Sequence, residues 1–393
     1  MSQVDMFGSF FLMNMDEFLQ NVFLCLDPAS LKNCRCVCKQ WNGFIKESIW
    51  NSRLGRARLR EKLRLCWRKS SFRVSEFGIN ASAGISWIGC DQTFAYFGTW
   101  SEFMGAYEIH TGNPKHEVYF RDKPFSPYTV DHDCCESMDL GEDYLAVVTD
   151  VGEIILMDKD TSVLSEKMGT GGRVSRIKMS KNKVVATVDA MRGRRAQIST
   201  LETMEGKWKI RSVVVDDAEA ANDLDVDGDW LVIGTGESSK IWKLSELEKG
   251  PVHEISAGTF RVVMQFPFLF VLSTYDPYGL QVWNILTNTM IREIESEDDR
   301  GFEFISSNGD LIVVVSENKE HRRSHLDDPH HNVPVQLFEI KELIDPEIPD
   351  SQLWRPTIWS TVNKGDLVCA AMNRTSLVIA AGLDVEVYKF WDD

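Results

Sequence analysis

Beyond residue 100 one short pattern, a large apolar residue followed by a mostly polar one, returns seven times. It reads GAYEI at 105, IILMD at 154, AQIST at 196, KIWKL at 240, QVWNI at 281, QLFEI at 336 and EVYKF at 386. With Tyr107, Met157, Ile198, Trp242, Trp283, Phe338 and Tyr388 as equivalent anchors, the spacings are 50, 41, 44, 41, 55 and 50 residues. A period of this length marks a supersecondary unit that buries its apolar face only by stacking on copies of itself. Ahead of the anchors run very apolar strands: YLAVVT at 144, KVVATV at 183, WLVIGTG at 230, LFVLST at 269, LIVVVS at 311 and SLVIAAG at 376. Such unbroken Val/Ile/Leu runs fit strands buried on both faces. A further strand precedes each (MDLG, RIKMS, DLDVDG, FEFISSNG), and one follows most anchors (KHEVYF, KIRSVVV, VHEIS, MIREI). Four strands per repeat and seven repeats close into a ring, although repeats this degenerate also allow six or eight. The last repeat stops at Phe390-Trp391 after its third strand, so the segment near Phe72–Phe77 is expected to supply the fourth and leave no open sheet edge.

These repeats resemble the WD40 blades of β-propellers. Met157-Asp158 and Trp283-Asn284 stand where Trp-Asp is usual, and no Gly-His pair precedes a blade. Kelch blades have a similar period but carry a Gly doublet that is absent here.

The N-terminal part follows a different period. Asp16 and Glu17 suit the positive end of a helix dipole, and Phe18, Leu19, Val22, Phe23 and Leu26 follow at helical spacing. Asp27-Pro28 is a helix start, leading into a short second helix through Leu31. Val37, Trp41, Phe44 and Ile45 share one face of a third, closed by Ile49-Trp50. So few residues bury too little apolar surface to stand alone, and the segment is expected to dock on something larger. The acidic start, Leu26-Asp27-Pro28, Ser30-Leu31, Arg35, Val37-Cys38, Trp41 and Ile49-Trp50 resemble the F-box, with Asn14-Met15 where that family has Leu-Pro. The resemblance implies an α+β multidomain chain: a tail (1–13), a three-helix F-box (14–50), a helical linker (51–73) and an all-β seven-bladed propeller (74–393). It implies a substrate-recognition subunit of an SCF-type cullin–RING ubiquitin ligase, or else a scaffold that transfers no ubiquitin. Met15, Glu17, Phe18, Val22, Leu26, Leu31, Val37, Cys38 and Trp41 would meet the S-phase-kinase-associated adaptor, and cullin and RING subunits would follow through it.

Charge is divided unevenly. Of the net −16, residues 1–73 carry +7 (13 Lys and Arg against 6 Asp and Glu) and residues 74–393 carry −23 (30 against 53). Nine of the bases lie between Arg53 and Arg73, where Glu61 alone opposes them. The acidic bulk argues against nucleic acid and against an anionic membrane surface. No run of eighteen apolar residues and no basic start before Phe10-Phe11-Leu12 supports a membrane span or a secretory signal, so cytosol or nucleus is expected. Cys34, Cys36 and Cys38, at every second position of a helical stretch, point in different directions and suit neither zinc nor disulfides.

The search for chemistry returns no enzyme motif and no cofactor motif. His321, His325, His330 and His331 lie in a long insertion of the sixth repeat that reads as a polar loop. DDAEAANDLDVDGD at 216 lacks the closing Glu of a calcium loop and reads as acidic turns. A propeller offers instead a rigid binding face, built from the loops that lead into each first strand and those joining second to third. Arg173, Arg261 and Arg300 end three of the former; Arg192, Arg194 and Arg195 lie in one of the latter, and Trp100, Tyr275 and Tyr278 are aromatic anchors on the same side. Converging guanidinium groups would suit an acidic or phosphorylated protein substrate, whereas scattered ones would be ordinary solvated surface.

Overall fold

The computed structural model describes Val22, Phe23, Cys34, Trp41, Phe44 and Ile45, then residues 73–389 apart from 80–83, 100–102, 120–137, 149–151, 189–196, 215–220, 274–278, 297–300, 317–332, 361–367 and several one- or two-residue gaps. The chain divides into two compact units. One is Met1–Val74 with Arg374–Ser376 and Tyr388–Asp393; the other is Ser75–Asn373 with Leu377–Val387.

In the first unit the described positions are helical at 22–23, 34, 41 and 44. Phe23 and Trp41 are buried and meet edge to face at 5.3 Å between ring centroids, with Phe44 tilted against Phe23 at 5.9 Å. Apolar residues of the first and third expected helices therefore converge on one aromatic cluster. Of the expected linker, 51–73, all but Arg73 lies outside the described residues, and Arg73 already belongs to a strand.

The described strands form seven four-stranded sheets. The first strands of consecutive sheets, Ile85–Cys90, Met138–Leu140, Val174–Ser180, Asp223–Asp227, Thr259–Gln265, Phe302–Ser307 and Val368–Met372, neighbour one another all the way round and line the axis of a closed propeller. All seven anchors fall on third strands, and all but Trp283 are buried. Side chains alternate between the two faces of each sheet and fill the gap to the next: Val185 and Ile198 of blade 3 meet Leu224, Val226 and Trp242 of blade 4.

Ring closure follows the expected route. Arg73–Gly78 is the outer strand of blade 7 and pairs with Asp384–Lys389. Its Phe77 reaches into blade 1, stacking on Tyr107 at 5.9 Å and meeting the edge of Phe97 at 6.2 Å. Gly112, at φ +69°, makes room: a Cβ there would come within 2.8 Å of the Phe77 ring.

At the far ends of the inner strands, side chains tie blade to blade. Asp227 accepts from the Phe266 N–H at 2.8 Å, Gln265 Nε2 donates to Gly309 O at 2.7 Å, Asn308 Nδ2 to Asn373 O at 3.1 Å, and Asn373 Nδ2 to Asp91 O at 2.7 Å. Lys159 carries the belt on to blade 2, 3.4 Å from Asp91 and donating to Gly141 O at 3.0 Å. Burial raises the Asp91 carboxyl, but the Phe94 and Thr93 N–H groups, with Lys159, pull it lower than they find it. Blades 5 and 6 are also strapped together by Arg292. Its buried guanidinium bonds the carbonyls of Leu343, Asp345 and Ile348 and pairs with Asp350, in the segment that follows the short helix Ile340–Leu343.

Two substitutions separate these devices. Phe77→Ala empties the site between blades 7 and 1 and is expected to cost about 3 kcal/mol, the low end for a Phe because the ring is half-buried. Arg292→Ala strands three carbonyls and should cost about 3 kcal/mol, with Arg292→Lys rescuing little of it. Chemical denaturation of the full chain measures both.

Candidate functional site

Each inner strand begins at the end of the propeller where the loops into the first strands and between second and third strands lie. In four blades the strand is bulged one residue in, with register shifts between Ile85 and Trp87, Val174 and Arg176, Thr259 and Arg261, and Phe302 and Phe304. A bulge adds one residue and re-aims the side chains beside it. In blade 5 the extra residue is Phe260, which stays exposed while the Arg261 guanidinium lies 5.1 Å from its ring centroid. In blade 3, Arg176 donates from Nε to Asn222 O at 2.6 Å and from Nη1 to Ser175 O at 2.8 Å. Asn222 in turn donates from Nδ2 to Thr259 O at 2.8 Å, so the first residues of blade 4 link Arg176 of blade 3 to the strand of blade 5 that bears Arg261.

Arg173 stands just ahead of Val174, as expected of a loop that leads into a blade. Arg261 lies inside its strand instead, because the strand starts at Thr259 and the bulge intervenes. Both are half-buried at the same end of the propeller, two blades apart. Arg300, Arg194, Arg192, Arg195, Trp100, Tyr275 and Tyr278 lie outside the described residues, as does the His-bearing insertion. Of the adaptor set, Val22 and Trp41 are described, while Met15, Glu17, Phe18, Leu26, Leu31, Val37 and Cys38 are not. Cys34 is half-buried, and burial raises its thiol pKa. Arg176 and Phe260 went unmarked in the sequence: one reads as a polar strand position, and the other occupies a bulge that no local pattern announces.

Of the two readings of the acidic stretch, the strand DLDVDG is the one that forms at 223–227, not acidic turns. Asp223, Asp225 and Asp227 alternate along the inner strand of blade 4, and their carboxylates accept the N–H groups of Val262 (2.9 Å), Met264 (2.6 Å) and Phe266 (2.8 Å) from blade 5. Asp139 does the same for Met179 N–H of blade 3 at 2.6 Å. The inner strand has no further strand on its axial side, so its outward N–H groups need acceptors, and the preceding blade provides them. Among the described residues no cluster of metal-ligating side chains occurs.

Between these acids lies Lys178 of blade 3, its Nζ 3.6 Å from Asp139 Oδ1 and 3.5 Å from Asp225 Oδ1. Burial alone would lower its pKa, but the two carboxylates together raise it. One ammonium cannot compensate two buried acids. Burial pushes Asp225 up to about 6, with Lys178 and the Met264 N–H pulling back incompletely, and Asp139 is raised for the same reason.

The F-box-like family matches residues 16–54. No curated protein matches the chain in sequence. Among solved structures, the computationally designed Ika8 protein is 10% identical over 79% of this chain and 98% of its own, at a TM-score of 0.52. Hsv2 of Kluyveromyces lactis with loop 6CD replaced by a Gly-Ser linker is 13% identical over 78% and 93%, at 0.51. At such identities the likeness is one of fold.

The raised Asp225 has a consequence for stability. Between an ordinary carboxylate pKa near 4 and the native value of about 6, the folded chain holds a proton that the unfolded chain has released. The Asp225 contribution therefore destabilises as pH rises through that window and is constant above it. Asp225→Asn keeps an acceptor for Met264 N–H and is expected to flatten this slope, measured as melting temperature of the full chain against pH from 4 to 7.

Proposed function

We propose that this chain, an F-box/propeller protein, serves as a substrate-recognition subunit of an SCF-type ubiquitin ligase. One observation carries the reading: an F-box-like segment at 16–54 ahead of a seven-bladed propeller. F-box domains generally bind the S-phase-kinase-associated adaptor, and through it cullin and RING subunits would join. The propeller would hold a protein substrate beside a ubiquitin-charged enzyme and speed transfer by proximity alone, so the chain itself is a non-catalytic receptor that needs no cofactor. Such assemblies work in the cytoplasm or nucleus, and no helix among the described residues is long and apolar enough to cross a membrane.

The substrate would meet the end where the inner strands begin. Arg173 and Arg261, joined there by Arg176 and by the exposed Phe260, suit an acidic or phosphorylated segment flanked by an apolar residue. Asn14-Met15 in place of Leu-Pro favours a second reading, a scaffold that holds partners without ubiquitin transfer.

Pull-down of the purified chain with adaptor and cullin tests the first reading. Assembly is expected with the natural chain and is expected to be lost with Leu26→Ala plus Trp41→Ala, while the propeller melts as before. Absence of assembly with the natural chain favours the scaffold. For the binding face, Arg173→Ala, Arg261→Ala and Arg300→Ala together are expected to lower retention on a phosphopeptide array by at least about tenfold, a loss of two or three charge-assisted hydrogen bonds. Adaptor binding should be unchanged.

A further inference from the structure

Every blade ends outward in a strand whose far side meets no further strand among the described residues. Such an edge is a template for another chain, and folded proteins blunt it by keeping the strand short, bulging it or charging it. Blades 2, 4 and 6 end in Met168–Gly169, His253–Ile255 and Thr357–Ser360, of two, three and four residues. In blades 1 and 5 the outer pairing is broken by a register shift, between Ala106 and Tyr107 and between Val282 and Trp283. Blade 7 ends in the six-residue closing strand. Blade 3 is neither short nor bulged, and charge alone guards its edge against unselective pairing: Lys207–Val214 runs eight residues and pairs without a break to Gln197–Met204.

The side chains across blade 3 form a ladder of alternating charge that stops at this edge. Lys183 lies opposite Glu202, Nζ to Oε1 2.7 Å, and Glu202 lies opposite the exposed Lys209. Two residues on, Arg211 touches Glu248 of blade 4 at 2.7 Å, but both side chains are more than half exposed and exchange with solvent at little cost. The strand holds three cations and no acid, inside a region with 53 acids against 30 bases. On its other face Trp208 and Ile210 pack towards the core shared with blade 2, which fixes the strand.

We propose that the edge of Lys207–Val214 takes an acidic, extended segment of another protein as a fifth strand of blade 3. Main-chain hydrogen bonds supply the affinity, and acids opposite Lys209 and Arg211, with apolar residues opposite Ile210 and Val213, supply the selection. A second copy of this chain fits poorly, because antiparallel pairing centred on Ile210 sets Lys209 against Arg211. This surface is separate from the strand starts assigned to substrate and does not depend on the ligase reading.

The test uses the full chain and a fluorescein-labelled octapeptide with Glu at the places facing Lys209 and Arg211 and Val at those facing Ile210 and Val213. Saturable anisotropy is expected, with hydrogen-exchange protection confined to 197–214. Lys209→Glu with Arg211→Glu should weaken binding about tenfold, and a peptide with Lys in place of Glu should restore it. An octapeptide N-methylated along its backbone should not bind. Absence of saturation up to millimolar peptide, equal binding of the N-methylated form, or protection elsewhere overturns the proposal. A dimer of the natural chain in analytical ultracentrifugation that shows protection at 207–214 would assign the edge to a second copy and overturn it too.

Discussion

The propeller depends on one pairing between distant parts of the chain, Arg73–Gly78 against Asp384–Lys389. Each blade buries its apolar faces on two neighbours, so an open arc of sheets would leave the outward faces of its first and last blades wet. The gap between blades 7 and 1 is filled as the others are, by Val378, Val385 and Val387 against Ile88, Phe97 and Tyr107, and Phe77 packs against that cluster from the closing strand. The strand thus joins the cores of the last and first blades as well as completing a sheet.

The second constraint is electrostatic. An acidic chain that lines its axis with seven inner strands has backbone donors there to satisfy, and this one places carboxylates against them. Asp139, Asp223, Asp225 and Asp227 each take an N–H of the next blade. The arrangement orients neighbouring blades and removes unpaired donors, but it buries charge. Lys178 offsets part of that, between one acid of blade 2 and one of blade 4, so three consecutive blades share one polar contact. Blades 5 to 7 are tied to their next neighbours instead by neutral amides, Gln265, Asn308 and Asn373, which donate to backbone carbonyls and carry no desolvated charge.

What could be read in the sequence follows from how local each cause is. The anchors were legible because alternation and burial act within one strand; Ile198, the least conspicuous, is as buried as Trp242. The closing strand was legible because a repeat lacking its fourth strand has to find one. The F-box was legible as an order of residues, and Phe23 of the first expected helix does meet Trp41 of the third. The strand DLDVDG is legible, but the role of Asp225 in it is not, because its partner, Met264, lies 39 residues on in another blade. Arg292 looked like any polar residue of an outer strand, since the carbonyls it binds come 51 to 56 residues later. Bulges at Ser175 and Phe260 left no trace, because one extra residue at a strand start does not disturb the alternation downstream.

The blades differ most where the ring constrains them least. An inner strand is held by its own hairpin, by two neighbouring inner strands and by the side chains that bridge turns, and its length varies little except in blade 2. An outer strand pairs with one strand only, and its length ranges from two residues to eight. Length that costs nothing to the ring can drift, and so can be kept where it is useful. In blade 3 the long hairpin keeps its register through all eight pairs, with the hydroxyls of Ser199 and Ser212 bonded at 2.8 Å and Trp208 edge-on to Tyr144 of blade 2 at 5.5 Å. A hairpin extended without purpose would fray at its tip. This one is anchored near its turn by Trp208, which ties it to a neighbouring blade whose own outer strand has shrunk to two residues.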